Sequence, residues 1–263
     1  MRRLLVSNPK QTRERGCFFA ARFDAVGDAA AVAGIVLALV ASGCGMRAAD
    51  VRKADEEGRA LRLELAALLV KKGSHDAAVP LLRRVVADEP RNPVAHYLYG
   101  TVLRERGLYP QAERELFETI RLDENYAPAH AALGILYDIQ RRSEDAEREH
   151  RRAIELAPRY ADYWNNLGFS YYVAGRTDEA ITALETALGI DPSLAIAHNN
   201  LGFAYGRQNE YDKAARCFRN AGGELMAYLN LALVYEQNGD PEMAAKLRTE
   251  ARVLDPNLPE VNQ

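Results

Sequence analysis

Cysteine is scarce in this chain, and its three residues lie far apart, at Cys17, Cys44 and Cys217. This spacing forms no disulfide framework and matches no zinc-binding pattern, in which ligands recur at short intervals. The five histidines are equally dispersed. We therefore expect neither a disulfide-stabilised fold nor a bound metal ion, and we expect Cys217 to be a small buried apolar side chain.

The chain also lacks the signatures of catalysis. It has no glycine-rich phosphate loop and no Ser, His and Asp in the order of a catalytic triad. It also has no pair of carboxylates spaced for acid–base catalysis. Nor is it basic, since 34 Lys and Arg residues face 37 Asp and Glu residues. A nucleic-acid-binding protein would carry an excess of positive charge on one face. These absences argue against an enzyme, a cofactor, a small-molecule substrate and a nucleic-acid partner.

The apolar run from Ala29 to Ala41 is too short to span a membrane as a helix, which requires about 20 residues. It follows a basic segment and precedes small residues, an order typical of a secretory signal. The residues before Cys44 resemble a bacterial lipoprotein signal. The resemblance implies a signal peptide over 1–43, a lipidated Cys44 and a short polar tether over 44–58. A plain cleaved signal and an uncleaved amino-terminal anchor remain alternatives.

A repeated pattern of apolar and small residues organises the rest of the chain. Its clearest copy contains, in order, Trp164, Leu167, Gly168, Tyr171, Gly175, Ala180, Leu184, Ala187 and Pro192. The spacing predicts one helix that glycine ends, followed by a second helix that stops before proline. Such a hairpin is too small to bury its apolar face alone. Six copies follow one another at 59–92, 93–126, 127–160, 161–194, 195–224 and 225–258, leaving 259–263 as a tail.

These residues and their period of about 34 resemble the tetratricopeptide repeat (TPR). The resemblance implies an all-α fold, an α-solenoid of about six helical hairpins that form a right-handed superhelix. It also implies a concave groove lined by the first helix of each hairpin. Each repeat of such an array contacts mainly its neighbours.

Two repeats depart from the pattern. Repeat one carries Pro80 inside its second helix, where proline removes a hydrogen bond and clashes with the preceding turn. We therefore expect a kinked or frayed helix there. Repeat five lacks four residues and passes directly through Gly222 and Gly223. A glycine pair adopts the left-handed conformation readily, so we expect a helix break and a local change of superhelical pitch.

Binding has more support in the sequence than catalysis. In the resembled family, groove-facing side chains occupy fixed places on the first helices. The corresponding residues here are Arg104, Ile135, Asp138, Asn165, Phe169, Tyr172, Asn199 and Phe203. Amide and aromatic side chains of this kind could hold an extended or helical peptide. The alternative for Phe169 and Phe203 is packing between repeats. The lysine with which related domains clamp chaperone carboxyl-termini is absent, so a chaperone tail is not the expected ligand.

The expected function is a non-enzymatic protein-binding scaffold in the bacterial cell envelope. A lipidated cysteine followed by six such repeats is similar in architecture to TPR lipoproteins that assist type IV pilus or secretin assembly. That resemblance implies a membrane-anchored protein that faces the periplasm at the outer membrane. Two alternatives remain: an adaptor that recruits or regulates a cell-wall enzyme, and a cytosolic regulatory repeat protein.

Overall fold

The computed structural model describes residues 48–258, and this part of the chain is entirely α-helical apart from turns. Its eleven helices are α1 (Ala48–Lys71), α2 (His75–Asp88), α3 (Pro93–Glu105), α4 (Tyr109–Leu122), α5 (Ala127–Ile139), α6 (Ser143–Leu156), α7 (Ala161–Val173), α8 (Thr177–Ile190), α9 (Ala195–Arg207), α10 (Tyr211–Gln237) and α11 (Pro241–Leu254). None of these helices is both long enough and apolar enough to cross a membrane. The predicted signal peptide, Cys44 and the tail lie outside the described residues.

The chain divides into two units, residues 1–62 and 63–263. Of the first unit, the structure describes only helix α1 from Ala48 onward. This helix begins inside the segment 44–58 that we expected to be a short polar tether running into the first helix. The second unit contains the stacked hairpins and all of the residues considered below.

Each hairpin turns where its first helix ends in a left-handed residue. In repeat four this residue is Gly175, with φ of 81°. The next amide, that of Arg176, donates a hydrogen bond to the carbonyl of Tyr171 at 2.9 Å. This arrangement satisfies the free carbonyls of the helix end and returns the chain antiparallel to itself. Arg141 and Asn209 adopt the same conformation in repeats three and five, with φ of 59° and 62°.

The two departures from the repeat pattern have different outcomes. Gly223 has φ of 78°, and helix α10 is broken there, so the predicted glycine break is confirmed. The two parts of α10 belong to repeats five and six, which gives six hairpins from eleven helices. We expected helix α2 to be kinked or frayed; it continues through Pro80 to Asp88, so the fraying is wrong and the kink stays a prediction. Pro80 is exposed, whereas the apolar side chains beside it are buried and hold the helix in place.

Close approach of the two helices defines the core of each hairpin. A Cβ atom added at Gly168 would lie 2.6 Å from Cγ of Leu184. One added at Gly202 would lie 2.5 Å from the ring of Phe218. Only glycine permits these distances without movement of the second helix. Leu184 and Phe218 are fully buried as a result, and Cys217 is buried beside them as predicted.

Polar contacts link consecutive repeats at the second helices. The carboxylate of Glu147 on α6 accepts hydrogen bonds from the Tyr171 hydroxyl at 2.8 Å and from the Arg176 guanidinium. Burial raises the pKa of Glu147, but these bonds and one from Arg151 outweigh it and lower the pKa below its ordinary value. The same arrangement of acceptor, phenol and guanidinium occurs one repeat earlier, at Glu113, Tyr137 and Arg142.

Candidate peptide-binding groove

The first helices of the hairpins lie side by side, and the second helices do not. Helix α3 contacts α5, α5 contacts α7, and α7 contacts α9. Among the described residues, the second helices α2, α4, α6 and α8 make no such contacts with one another. Elements that touch along a row must line its inner, concave side. The first helices of repeats two to five therefore form the inner face of the array, as the family pattern predicted.

Two of the predicted groove residues are amides that bond across the repeats. The Asn165 oxygen accepts a hydrogen bond from Nδ2 of Asn200 at 2.9 Å. The Asn199 oxygen accepts one from Nδ2 of Asn230 at 2.7 Å. Asn165 is only 3 % exposed. These bonds tie one first helix to the next, and they commit the side-chain oxygens that we expected to be available to a ligand.

Asp138 joins two repeats through a buried network. Its carboxylate lies 2.9 Å from Nε2 of His150 and accepts a 2.6 Å hydrogen bond from the Ser170 hydroxyl. His150 is fully buried, and Ser170 is 3 % exposed. Both carboxylate oxygens are thus engaged. Asp138 holds repeats three and four together, which leaves it little capacity to bind a partner.

The structure places two predicted aromatic residues in the core. Phe203 is 6 % exposed, and its ring packs edge-on against that of Phe218 at 5.0 Å. Phe203 is thus part of the core, but this contact lies within repeat five, whereas the alternative that the sequence left open was packing between repeats. Tyr172 is 7 % exposed. The Arg207 guanidinium lies 3.7 Å from the centre of the Tyr172 ring and donates to its carbonyl.

The remaining predicted residues are partly accessible and have apolar neighbours that sequence reasoning missed. Arg104, Ile135 and Phe169 are all of intermediate exposure on α3, α5 and α7. Exposed aliphatic side chains lie at the ends of the same first helices, with Val94 and Ile196 at the beginning of α3 and α9 and with Ile139 and Val173 at the last residues of α5 and α7. Because α5 and α7 contact one another, we call Ile139 and Val173 the aliphatic stripe. Ile139 and Val173 occupy the same place in consecutive repeats, and this recurrence was the signal available in the sequence.

The histidines are structural, and three of them replace Trp164 in a repeated bond. The Trp164 ring N–H donates to the carbonyl of Pro158, six residues earlier, at 3.0 Å. Nε2 of His198 makes the equivalent bond to Pro192 at 3.0 Å. His96 and His130 do the same at 3.2 and 3.3 Å. In repeats two to five, a ring N–H group at this place thus bonds the carbonyl six residues earlier.

The other ring nitrogen of these histidines has a partner only in two repeats. Nδ1 of His96 lies 2.6 Å from the Glu115 carboxylate, and Nδ1 of His130 lies 2.8 Å from that of Glu149. In repeat five Cys217 stands where the earlier repeats have Glu115 and Glu149. Nδ1 of His198 is consequently buried without a partner. Burial raises the pKa of Cys217 to about 11, so its thiol stays protonated. Within residues 48–258, no group of three potential ligands could hold a metal ion.

Comparison with solved structures agrees with this architecture. PilF from Pseudomonas aeruginosa is 18 % identical, and the likeness covers 77 % of this chain and 94 % of PilF with a TM-score of 0.62. PilW, a widely conserved type IV pilus biogenesis factor, is 14 % identical over 77 % of this chain and 96 % of its own, with a TM-score of 0.66. YrrB, a TPR protein with an unusual peptide-binding site, is 16 % identical over 67 % and 93 %, with a TM-score of 0.50. At such identities the likeness concerns the fold.

The repeats are also recognised from the sequence. No curated protein matches the chain. Family models of the tetratricopeptide repeat match residues 69–136, 170–209 and 227–260, which together make up more than half of it. The first two of these segments lie within the array of hairpins and cross the boundaries between repeats, and the third begins in the second part of α10 and includes α11. The chain is therefore a tetratricopeptide-repeat protein.

Proposed function

We propose that this protein is a scaffold whose inner face binds an apolar segment of a partner protein. The supporting observation is the aliphatic stripe, in which the contacting first helices α5 and α7 each end in an exposed aliphatic side chain. Ile139 is 47 % exposed and Val173 44 %. Aliphatic residues scattered singly over a surface require no explanation, but adjacent ones on one face are typical of a binding site. TPR domains generally bind protein or peptide partners in this way.

The partly accessible Ile135 and Phe169 extend this surface, because each lies one helical turn before Ile139 or Val173 on the same helix. The amides of Asn165 and Asn199 stabilise this surface, because their hydrogen bonds fix the spacing of neighbouring first helices. The groove is thus a rigid apolar surface whose polar groups are largely engaged internally. An amphipathic helix or an extended apolar segment matches such a surface.

Replacing Ile139 and Val173 by aspartate should abolish capture of the partner and leave the fold intact. Both side chains are exposed, so two charges on the groove oppose binding without disturbing the core. In-cell crosslinking followed by quantification of the partner checks this, with circular dichroism as the test of folding. The matched control is Phe117→Asp, which adds a charge at a residue 49 % exposed on the second helix α4. Undiminished crosslinking in the double variant would contradict the groove assignment.

For the pathway, we propose an envelope lipoprotein that assists assembly of a pilus or secretion complex. Two observations support it: the lipoprotein-like residues before Cys44, and the fold shared with PilF and PilW. Several acyl chains on Cys44 would give stable membrane anchoring, since each buried methylene contributes about 0.8 kcal/mol.

Metabolic labelling with a fatty acid tests the anchor. We expect label in the wild-type protein and none in Cys44→Ala, with the protein recovered from membranes only in the first case. Deletion of the gene should then reduce secretin multimers or surface pili. Unchanged multimers together with altered peptidoglycan would instead support an adaptor for a cell-wall enzyme. Equal labelling of the Cys44→Ala variant would overturn the lipoprotein assignment.

A further inference from the structure

Four tyrosines from three consecutive repeats meet at the amino-terminal ends of the first helices. Tyr97 lies on α3, Tyr126 immediately precedes α5, Tyr160 immediately precedes α7, and Tyr163 lies in the first turn of α7. The rings of Tyr97 and Tyr126 are 5.3 Å apart at 54°, and those of Tyr160 and Tyr163 are 4.6 Å apart at 52°. We call this group the tyrosine cluster.

The two ring pairs belong to one site. Burial raises the pKa of Tyr163 to about 12, with contributions from Tyr160, Tyr97 and Tyr126. Burial also raises the pKa of Tyr97, which Arg104 lowers and Tyr160 raises slightly. Tyr126 and Tyr160 immediately precede α5 and α7, which contact one another, so the two ring pairs are neighbours. Tyr163 is 8 % exposed and forms the base of the cluster, whereas Tyr160 is 53 % exposed at its rim.

The hydroxyl groups of the cluster are uncommitted. No hydrogen bond joins any of the four to another residue between Ala48 and Leu258. This differs from Tyr137, Tyr171 and Tyr205, whose hydroxyls all donate to glutamate carboxylates. The cluster therefore offers flat apolar rings together with several free donors, at the opposite ends of the first helices from Ile139 and Val173.

Charge helps to decide what would fit. The positive charge of Arg104 partly offsets the rise that burial causes in the pKa of Tyr97. The negative charges of Asp123 and Asp162 raise the pKa of Tyr126 and of Tyr163, respectively. Charges of both signs border the cluster, so it attracts neither a strong anion nor a strong cation. A ligand that complements the cluster is uncharged, has many hydrogen-bond acceptors for the tyrosine hydroxyls, and has flat apolar sides that pack on the rings.

We propose that the tyrosine cluster binds a proline-rich segment of the partner protein in the polyproline II conformation. Such a segment makes no internal hydrogen bonds, so its carbonyls are free to accept from the tyrosine hydroxyls. Its proline rings pack on aromatic side chains, and its preformed shape costs little conformational entropy on binding. This inference rests on the proposed peptide-binding function and specifies one part of the ligand.

Isothermal titration of the full chain in detergent with a ten-residue oligoproline tests the proposal. We expect saturable binding of oligoproline and none of a Gly-Ser peptide of equal length. The double variant Tyr126→Ala, Tyr160→Ala should weaken binding at least ten-fold. The variant Tyr126→Phe, Tyr160→Phe keeps the rings and should weaken it about two- to ten-fold for each hydroxyl bond lost. Phe117→Ala removes an equally exposed aromatic ring from α4 and should leave binding unchanged.

Several results would overturn the proposal. One is the absence of oligoproline binding to the wild-type chain, and another is equally tight binding to the alanine variant. Binding of tetramethylammonium in place of oligoproline, with the same sensitivity to the tyrosine variants, would assign the cluster to a cation. If Ile139→Asp with Val173→Asp still abolishes partner crosslinking while oligoproline does not bind, the peptide groove stands and only the proline-rich ligand is wrong.

Discussion

Replacing Phe218 by alanine is expected to destabilise repeats five and six by about 3–5 kcal/mol. Phe218 is fully buried, and its ring packs against Phe203 at 5.0 Å and directly over Gly202. Alanine would leave a cavity because the neighbouring helices are held by their own repeats. Since each repeat is stabilised mainly by its neighbours, the carboxy-terminal part should unfold at lower denaturant than the rest.

Urea unfolding followed by circular dichroism checks this expectation, with hydrogen exchange locating the affected helices. We expect an early transition and faster exchange in α9, α10 and α11. Phe117→Ala is the matched control, because Phe117 is 49 % exposed and its loss should change stability little. A Phe218→Ala variant within 1 kcal/mol of the wild type would show that this core is not packed as described.

Replacing Asp138 by alanine is expected to weaken the interface between repeats three and four and to lower the stability of the protein. The carboxylate bonds to the fully buried His150 and to Ser170, which is 3 % exposed. Removal leaves two buried polar groups without their acceptor, and each costs about 1–3 kcal/mol. Nδ1 of His150 already lacks a partner, so the ring would lose its only hydrogen bond within the described residues.

Thermal unfolding of Asp138→Ala and Asp138→Asn, compared with the wild type, measures this effect. The asparagine retains one acceptor oxygen and should lose less stability than the alanine. Glu64→Ala is the control, because it removes an exposed carboxylate from the middle of α1. If Asp138→Ala instead weakens partner binding and leaves the melting temperature unchanged, the original assignment of Asp138 to the groove surface is correct.

Local sequence was sufficient to predict the hairpins. The recurrence of small residues at the places of Gly168 and Ala180 required two helices in close contact, and the structure has them. The glycine pair at Gly222 and Gly223 correctly indicated the break in α10. These features depend on residues within one repeat, whose spacing and backbone preferences can be read directly. Fraying at Pro80 was wrong because buried neighbours outweigh the local preference.

The groove was predicted less well, because exposure there depends on the following repeat. Asn165 meets Asn200, Asp138 meets Ser170, and Tyr172 is covered by Arg207. Each of these contacts joins residues more than 30 positions apart in the chain. A family position indicates that a side chain faces inward, but not whether its neighbour engages it. The tyrosine cluster was missed for the same reason, since three repeats contribute to it.

The sequence by itself determined that this protein is a row of helical hairpins, and which of their faces is the inner one. Its period, turn residues and small residues act within each hairpin, where the backbone geometry leaves few alternatives. Only the tertiary structure decided which inward side chains are free to bind. That outcome depends on how adjacent first helices pack, and the packing engages Asp138 and Asn165 internally while it leaves Ile139, Val173 and the tyrosine hydroxyls available.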